Sequence, residues 1–396
     1  MATHNIDIAL QNTQLGTPAT ADGVMGMICK GVVASGFALD TFYLLTKLAD
    51  LDTLGIDAAY DTSNNVAIYQ QVSEFYAEAG DGAKLWIGGV STATIFGSYV
   101  LTDTFKKMIT GTESADPLNM IKWIGLCYNV PAAEQHATDF PIDVTDTLTG
   151  LQATLTQLFA KGYHVGGVID GANMSSTITP TTIETVATQG APSVNLCITG
   201  TKANRVSSVG QYLGRLARIS VGTSAGRVED GKINCTSMYL TNAVSVLALD
   251  PLTDFDLLGS KQFLFARTLK NYSGFYWNDD ATCDLDANSL SRTLANRVAN
   301  KLADEALAMF LKDREKNMLV TSSTGDLDPG YCAAKSQEFK TKYIVPLITG
   351  TDLSDGVLVV SGVGYSSTKI ISFKLRLVQA TPYGSVEGEI AFQATI

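Results

Sequence analysis

A glycine–serine segment is the best candidate for covalent catalysis in this sequence. Residues 222–226 read Gly-Thr-Ser-Ala-Gly and match the Gly-x-Ser-x-Gly pattern, which holds a nucleophilic serine on a sharp turn between a strand and a helix. The following residues, Arg-Val-Glu-Asp-Gly at 227–231, do not begin a helix. That fold also needs a histidine after the serine, whereas all histidines precede it: His4, His136 and His164. We therefore predict that Ser224 is not a nucleophile, and a cytosolic α/β hydrolase using Ser224 is kept as an alternative.

Four aspartates close together are the candidate ligands for a cation: Asp279, Asp280, Asp284 and Asp286. An EF-hand loop beginning at Asp284 would need glycine at its sixth position and glutamate at its twelfth, where Ser289 and Ala295 stand. Residues 362–364, Gly-Val-Gly, lack the third glycine and the following helix of a dinucleotide-binding fingerprint. No Gly-Lys-Ser/Thr phosphate-binding loop occurs in the sequence. The sequence therefore predicts no metal, no cofactor and no catalytic residue.

Charge and cysteine usage exclude several classes of partner. The net charge is −11, whereas a nucleic-acid-binding surface needs a basic patch. The six cysteines are scattered and form no Cys-x-x-Cys pair, which argues against a zinc ribbon or a disulfide framework. No signal peptide and no membrane-spanning run are recognisable. We predict a protein of a reducing compartment that neither binds nucleic acid nor inserts into a membrane.

The elements that would position these residues fall into two classes. Between residues 84 and 217, short apolar runs alternate with helical patterns, which predicts an α/β domain with a mixed, largely parallel sheet. One predicted helix, Ser208–Ala217, carries Gly210 and Gly214, and such glycines lower helix stability unless another element packs very closely there. A change of composition after Asp250-Pro251 places the boundary to an α+β domain near residue 245.

A long amphipathic helix and several strands make up the predicted second domain. Leu290, Leu294, Val298 and Leu302 recur every four residues and form one apolar face. Residues 371–377 and 390–396 alternate apolar and polar side chains, as half-buried strands do. The last strand can pair with residues 371–378 in a hairpin within the chain, or it can be donated to the sheet of another molecule.

Three segments, taken in order, resemble the contractile tail sheath proteins of bacteriophages and related phage-tail-like injection systems. They are similar to a sheath branch first recorded as an uncharacterised phage family. The first segment is Ser208–Ala217, which continues through Val221 to residues 226–231. The second is Gly274–Asp280 (Gly-Phe-Tyr-Trp-Asn-Asp-Asp), followed by Arg297, Val298 and Lys301. The third is the β-rich end after a helix.

This resemblance implies a structural protein without an active site. A sheath subunit would polymerise helically with itself in stacked rings around an inner tail tube, and would meet baseplate and terminator proteins. It would contract to drive the tube through a target envelope. It would assemble in the bacterial cytoplasm as part of a phage tail or a tail-like particle. Another phage-like shell or tube protein is the alternative within the structural class.

The resemblance also implies a division of the chain and a set of contact residues. The parts would be an N-terminal linking arm at 1–20, an α/β sheath domain at 21–245, an α+β core domain at 246–387 and a linking strand at 388–396. The expected inter-subunit strand residues are Ile6, Ile8, Leu10, Ile390, Phe392, Ala394 and Ile396. The candidate contacts of the long helix to the tube or to a neighbour are Arg292, Lys312, Arg314 and Lys316.

Overall fold

A computed structural model of the chain describes residues 21–115, 120–131, 139–285, 291–315, 321, 323–348, 353–361, 370–381 and 384–395. Several residues that the sequence analysis singles out lie outside these ranges: His4, Ile6, Ile8, Leu10, His136, Asp286, Ser289, Leu290, Lys316 and Ile396. Of the side chains at 314–315 and 370–395, nothing is described.

The helices alternate with the strands through the first part of the chain. The helices are α1 (Ala58–Asn64), α2 (Ile68–Ala79), α3 (Phe96–Tyr99), α4 (Asp103–Ala115), α5 (Ile142–Phe159), α6 (Val209–Arg218), α7 (Asp254–Ser260), α8 (Thr293–Glu315), α9 (Pro329–Phe339) and α10 (Val345–Ile348). The strands are β1 (Met25–Gly31), β2 (Phe42–Leu45), β3 (Leu85–Ser91), β4 (Trp123–Cys127), β5 (Gly166–Asp170), β6 (Val194–Cys197), β7 (Thr199–Gly200), β8 (Tyr239–Leu240), β9 (Ala266–Arg267), β10 (Tyr276–Trp277), β11 (Leu353–Ser361), β12 (Ile370–Thr381) and β13 (Gly384–Thr395).

Local signals in the sequence account for where some of these helices begin. The side chain of Asp57 accepts a hydrogen bond from the backbone N–H of Tyr60 and caps α1. Asp328 does the same for α9, and Pro329 occupies the first helical position, where its missing N–H costs nothing. Both helices therefore start where a side-chain acceptor replaces a missing backbone partner.

The central sheet of the described chain has the strand order β2-β3-β1-β4-β5-β6. β1 runs parallel to β3 and β4, and β5 runs parallel to both of its neighbours. β2 joins antiparallel to β3, so the sheet is mixed. The parallel strands are almost entirely buried, because helices cover both of their faces. The predicted α/β fold with a mixed sheet is confirmed.

The two glycines of α6 permit the close packing that their cost in helix stability requires. A Cβ atom at Gly210 would lie 1.9 Å from the carbonyl oxygen of Gln71, and one at Gly214 would lie 2.5 Å from that of Phe75. Both carbonyls belong to α2. The backbones of α2 and α6 therefore approach each other more closely than any larger side chain would allow.

Buried apolar side chains form two hydrophobic cores. The first core runs from Val24 to Cys283, and the second contains Leu294, Val298 and Phe310 of α8 together with residues of α9 and β11. The first core continues past residue 245 because the backbone of Leu264 exchanges hydrogen bonds with Leu196 and Ile198 beside β6. The cores thus divide later than the predicted boundary, and the domain limits themselves stay a prediction.

The C-terminal strands form a separate antiparallel sheet in the order β11-β12-β13. In β12 and β13, Phe373 lies opposite Phe392 and Leu375 lies opposite Ile390. This is the hairpin that the sequence analysis gives as one of two arrangements for the last strand. Within the described residues, the outer edges of β11 and β13 pair with no further strand.

Candidate functional site: a polar junction between the cores

The segments singled out by the sequence meet at one buried place between the two cores. α6 supplies Tyr212, the glycine–serine loop supplies Ser224, the segment after β10 supplies Asp280, and α8 supplies Thr293 and Arg297. These five residues are called the polar junction. Four of them are almost inaccessible to solvent, and Ser224 is partly buried. Residues up to 85 positions apart in the chain therefore share one site.

Asp280 is the acceptor at the centre of the polar junction. Its Oδ2 accepts a hydrogen bond of 2.6 Å from Ser224 Oγ and one of 2.7 Å from the backbone N–H of Ala225. Its backbone oxygen accepts a hydrogen bond of 2.9 Å from the backbone N–H of Thr293, the first residue of α8. Tyr212 Oη lies 2.9 Å from Thr293 Oγ1. Asp280 thus joins the glycine–serine loop to the start of α8.

The carboxyl group of Asp280 is held where its charged form is costly. Burial raises its pKa to about 6, against the opposing effects of the hydrogen bonds from Ser224 and Ala225 and of the nearby positive charge of Arg297. The backbone of Asp280 also adopts a left-handed conformation with φ 59°, which aspartate tolerates better than most residues. The hydrogen bonds from Ser224 and Ala225 hold the glycine–serine loop against this carboxyl group.

Arg297 joins α8 to the end of α6. Its Nη2 donates to the carbonyl oxygens of Leu216 at 2.8 Å and Ile219 at 3.3 Å, and its Nη1 donates to Ser220 at 3.4 Å. The carbonyls at the end of a helix have no partner within the helix and carry partial negative charge. Burial lowers the pKa of Arg297 to about 10, so the guanidinium stays charged at neutral pH.

A second buried arginine of α6 fastens the loop that follows the glycine–serine segment. Arg215 is fully buried and donates to the carbonyl oxygen and the carboxylate of Asp230, both at 2.9 Å. Burial raises the pKa of Asp230, but the hydrogen bond and charge of Arg215 outweigh it and leave the pKa lowered. The loop is thereby tied to α6 by a charge-assisted bidentate contact.

Glycine is required at position 226 because two backbones pass close to each other there. A left-handed backbone would explain a glycine there, but Gly226 is not among the residues with positive φ. Instead, a Cβ atom at Gly226 would lie 2.2 Å from the carbonyl oxygen of Asn278. The close passage of two backbones therefore accounts for this glycine.

The aromatic part of the second segment packs on α6. Trp277 is fully buried, and its ring meets that of Tyr212 edge to face, with centroids 5.2 Å apart. The neighbouring Asn278 donates from Nδ2 to the carbonyl oxygen of Phe263 at 2.9 Å and accepts at Oδ1 from the backbone N–H of Phe265. Both side chains hold the segment before Asp280 against the first core.

His164, the one histidine within the described ranges, is engaged away from Ser224. His164 Nδ1 lies 2.5 Å from Asp304 Oδ1, and Lys122 Nζ lies 2.6 Å from Asp304 Oδ2. Burial raises the pKa of Asp304, yet the hydrogen bond from His164 and the charge of Lys122 leave it lowered overall. Ser224 therefore has a carboxylate partner in Asp280, while His164 serves the contact between α8 and the sheet.

Asp279 and Asp280 of the acidic segment form contacts within the chain. Asp279 lies 3.3 Å from Arg292 Nη1, and Asp280 belongs to the polar junction. Within the described ranges, no group of three or more histidine, cysteine or acidic side chains could hold a metal ion.

The four candidate contact residues of the long helix differ from one another in position and burial. Arg292 precedes α8, is partly buried and donates to the carbonyl oxygen of Asp279 at 2.9 Å. Lys312 is exposed on α8. Arg314 lies in α8 with its side chain not described, and Lys316 lies beyond the described part of α8. The assignment of these residues to a contact stays a prediction.

An ion pair at the carboxyl end of the sheet was not predicted from the sequence. Lys30 Nζ lies 3.0 Å from Asp143 Oδ2, and 5.1 Å and 4.5 Å from the ring centroids of Phe96 and Tyr128. The strand order reverses between β1 and β4, and doubly wound sheets commonly bind ligands at such a position. In this chain the side chains of Lys30 and Asp143 lie there. A lysine within an otherwise apolar strand was the available signal.

Comparison with solved structures relates the fold to sheath proteins. A sheath tail protein from Listeria innocua matches with a TM-score of 0.55 and 10% identity, over 97% of this chain and 97% of that chain. A sheath tail protein from Desulfitobacterium hafniense matches with a TM-score of 0.53 and 8% identity, over 99% and 100%. The contracted PVC sheath complex of an extracellular contractile injection system matches with a TM-score of 0.52 and 11% identity, over 91% and 88%. The fold is therefore that of contractile tail sheath proteins.

Sequence comparison gives a family match over most of the chain. The family described as DUF2586, N-terminal domain, matches residues 3–281, which end close to the last residue of the first core, Cys283. No curated protein matches the sequence. No described helix is both long enough and apolar enough to span a membrane.

Proposed function

This chain belongs to the family described as DUF2586, N-terminal domain, and from that premise and its fold we propose that it is a structural subunit of a contractile tail sheath. One observation carries the proposal: the fold matches sheath tail proteins over nearly the whole of both chains. In this role the subunit polymerises helically around an inner tube and contracts. This role needs no catalytic residue and no cofactor.

The geometry of the polar junction supports a mechanical role over a catalytic one. Asp280 and Arg297 satisfy backbone groups, namely the N–H of Ala225 and the carbonyls at the end of α6. Such contacts hold elements of two cores in a fixed relation, and buried, satisfied polar networks specify one arrangement. A subunit that transmits force between neighbours benefits from that rigidity.

The C-terminal sheet supplies edges suited to assembly. β11 and β13 each present an outer edge with no partner among the described strands, and an exposed edge is a template for a strand from another chain. We assign this contact between subunits to two segments. One contains the N-terminal residues Ile6, Ile8 and Leu10, and the other is the strand carrying Ile390, Phe392, Ala394 and Ile396. The hairpin of β12 and β13 then forms the platform on which a neighbour's strand adds.

The charged side of α8 is the proposed contact to the inner tube or to a neighbouring subunit. Lys312 is exposed there, and Arg314 and Lys316 follow it in the sequence. Arg292 contributes less directly, since it is engaged with Asp279. Baseplate and terminator proteins would meet the ends of the assembly, which forms in the bacterial cytoplasm and becomes part of a phage tail or a tail-like particle.

Electron microscopy of the purified full-length chain tests the proposal. A sheath subunit is expected to form striated tubes of uniform diameter, alone or when inner tube protein is added. Closed shells or smooth tubes without striation would favour another phage-like structural protein. A protein that stays monomeric under all these conditions and hydrolyses esters in a Ser224-dependent manner would overturn the proposal in favour of a hydrolase.

A further inference from the structure

A polar groove lies away from the polar junction, beside α2. It has a volume of about 690 Å³ and is bounded by α2 and by the loops at 201–204 and 234–237. Its walls include the apolar side chains Ala58, Val66, Ala77 and Val130. We name it the acceptor groove and define it by Gln70, Glu74, Asn204 and Gln211. Glu74 is 8% exposed and Gln211 is 1% exposed, so buried polar groups form part of its lining.

A directed series of hydrogen bonds joins the side chains on one side of the acceptor groove. Asn204 Nδ2 donates to Gln70 Oε1 at 2.9 Å, and Gln70 Nε2 donates to Glu74 Oε1 at 2.9 Å. The hydroxyl of Thr201 also donates to Glu74 Oε1. Since the oxygen of each amide can only accept and its NH₂ group can only donate, this series determines how both amides are oriented.

The buried side-chain atoms of the acceptor groove that lack a partner are all acceptors. Gln211 uses its donor on the carbonyl oxygen of Asn234, with Nε2 and O 3.1 Å apart. Glu74 Oε2, Asn204 Oδ1 and Gln211 Oε1 are buried and have no hydrogen-bond partner. Buried acceptors without a donor cost free energy. Three of them around one groove indicate a ligand that brings hydrogen-bond donors.

The charges around the acceptor groove indicate the sign of that ligand. Asp61 and Glu74 contribute two carboxyl groups, and Lys202 is the exposed cation nearby. Burial raises the pKa of Glu74, whereas hydrogen bonds and the charge of Lys202 act against the rise. A cationic donor bound at Oε2 would stabilise the charged carboxylate further.

We propose that the acceptor groove binds an organic cation, a primary ammonium or guanidinium group whose N–H donors satisfy Glu74 Oε2, Gln211 Oε1 and Asn204 Oδ1. A guanidinium carries five N–H donors and an ammonium carries three, and neither has an acceptor. Hydrogen bonds from such groups to a carboxylate are charge-assisted and strong. The apolar walls suit an alkyl stem. A metal ion fits less well, since the described residues hold no group of three ligands of the usual types.

Two sources can supply this cation, and the test separates them. One is a free diamine or guanidino compound. The other is a lysine or arginine side chain of a second copy of this chain, and this source rests on the proposed assembly. Free-ligand binding is a property of the single chain, so it is measured whether or not tubes form.

The experiment compares the full-length protein with Glu74→Gln. This substitution keeps the size of the side chain and the acceptor at Oε1, but places a donor where the unpartnered acceptor stands. Glu184→Gln, at an exposed carboxylate, is the matched control for the change of charge. Each protein is titrated calorimetrically with cadaverine and agmatine as cationic probes and with 1,5-pentanediol as the neutral probe. Self-association is followed by sedimentation, with and without agmatine.

Saturable binding of a cationic probe that is at least tenfold weaker in Glu74→Gln, unchanged in Glu184→Gln and absent for the diol supports the proposal. If self-association is then the same in Glu74→Gln as in the wild type, the source is a free cation. If self-association is lost in Glu74→Gln and agmatine inhibits it in the wild type, the source is a second copy. Absence of probe binding together with unchanged self-association in a folded Glu74→Gln overturns the proposal, as does equal probe binding by both proteins. A wild type that binds the probes but forms no tubes, even when inner tube protein is added, keeps the proposal while contradicting the sheath function.

Discussion

Arg297 in α8 donates a hydrogen bond of 2.8 Å from Nη2 to the carbonyl oxygen of Leu216 in α6. Leu216 belongs to the first core, and Val298, next to Arg297, belongs to the second. One guanidinium therefore satisfies the end of a helix in one core from a helix of the other. The relative position of the two cores depends on this contact.

Removing the guanidinium should destabilise the protein strongly. Arg297→Met keeps much of the apolar stem but removes the guanidinium donor to the carbonyls of Leu216 and Ile219, whereas the carbonyl of Ser220 keeps the backbone N–H of Thr223. We expect a loss on the order of 3 kcal/mol in the free energy of unfolding, since one orphaned buried acceptor costs about 1–3 kcal/mol. Denaturant unfolding measures it. Arg218→Met, at a partly exposed arginine, is the control, and an equal loss in both variants would contradict the role assigned to Arg297.

The pH dependence of stability should carry a signature of Asp280. Its pKa is about 6 in the folded protein, against an ordinary value of 3.8. The folded state therefore holds the proton more tightly, so the contribution to stability is full below pH 3.8 and is lost as the pH rises through about 6. Within that window the loss is about 1.4 kcal/mol per pH unit.

Asp280→Asn removes the titration while keeping the shape and the left-handed backbone that asparagine tolerates. Relative to the wild type, the variant should gain stability between pH 4 and pH 7, measured by denaturant unfolding at each pH. Parallel curves for the two proteins would show that Asp280 does not titrate in this window.

A methyl group at Gly226 should be poorly tolerated. Gly226→Ala would put its Cβ 2.2 Å from the carbonyl oxygen of Asn278, and relieving such an overlap typically costs about 1–3 kcal/mol. Gly111→Ala is the matched control, because Gly111 lies in α4 with no atom within 4 Å of the added Cβ. There we expect a gain of up to about 1 kcal/mol from better helix propensity. Thermal unfolding of the two variants compares them directly, and similar melting temperatures would refute the close approach.

Charge reversal at the end of the long helix should weaken attachment to the tube. Replacing Lys312, Arg314 and Lys316 by Glu changes the net charge by the same amount as a control triple replacement of Lys107, Lys161 and Lys270, which are exposed elsewhere. Charges at the rim of an interface set orientation and association rate. Co-sedimentation with tube protein should fall in the first variant and persist in the second. Equal binding by both variants would remove this helix end from the interface.

Truncation of residues 388–396 separates the two roles of the last strand. If neighbours depend on it, the shortened chain should stay soluble and melt cooperatively but form no tubes. If it mainly completes the chain's own sheet through its pairing with β12, the lost apolar burial, at about 25 cal/mol per Å², should yield misfolded protein. Melting curves and electron micrographs of the shortened chain distinguish these outcomes, and normal tubes would contradict both.

The sequence by itself determined the features that depend on local order. Alternation of apolar runs and helical patterns between residues 84 and 217 was sufficient to predict the α/β part with its sheet. Gly210 and Gly214 indicated a close packing partner for α6, and the alternation at 371–377 and 390–396 indicated strands. Each of these features can be predicted from the spacing of neighbouring residues, because helix and strand periods are properties of short segments.

Only the tertiary structure decided which distant residues meet. That Ser224 pairs with Asp280 follows from packing of segments 56 positions apart. The division of the cores after Cys283 depends on Leu264 joining β6, and the requirement for glycine at 226 depends on the passage of Asn278. The acceptor groove likewise joins α2 to loops more than a hundred residues later. Long-range contacts of this kind leave no period in the sequence, since they are selected by the shape and charge of surfaces that form only when the chain folds.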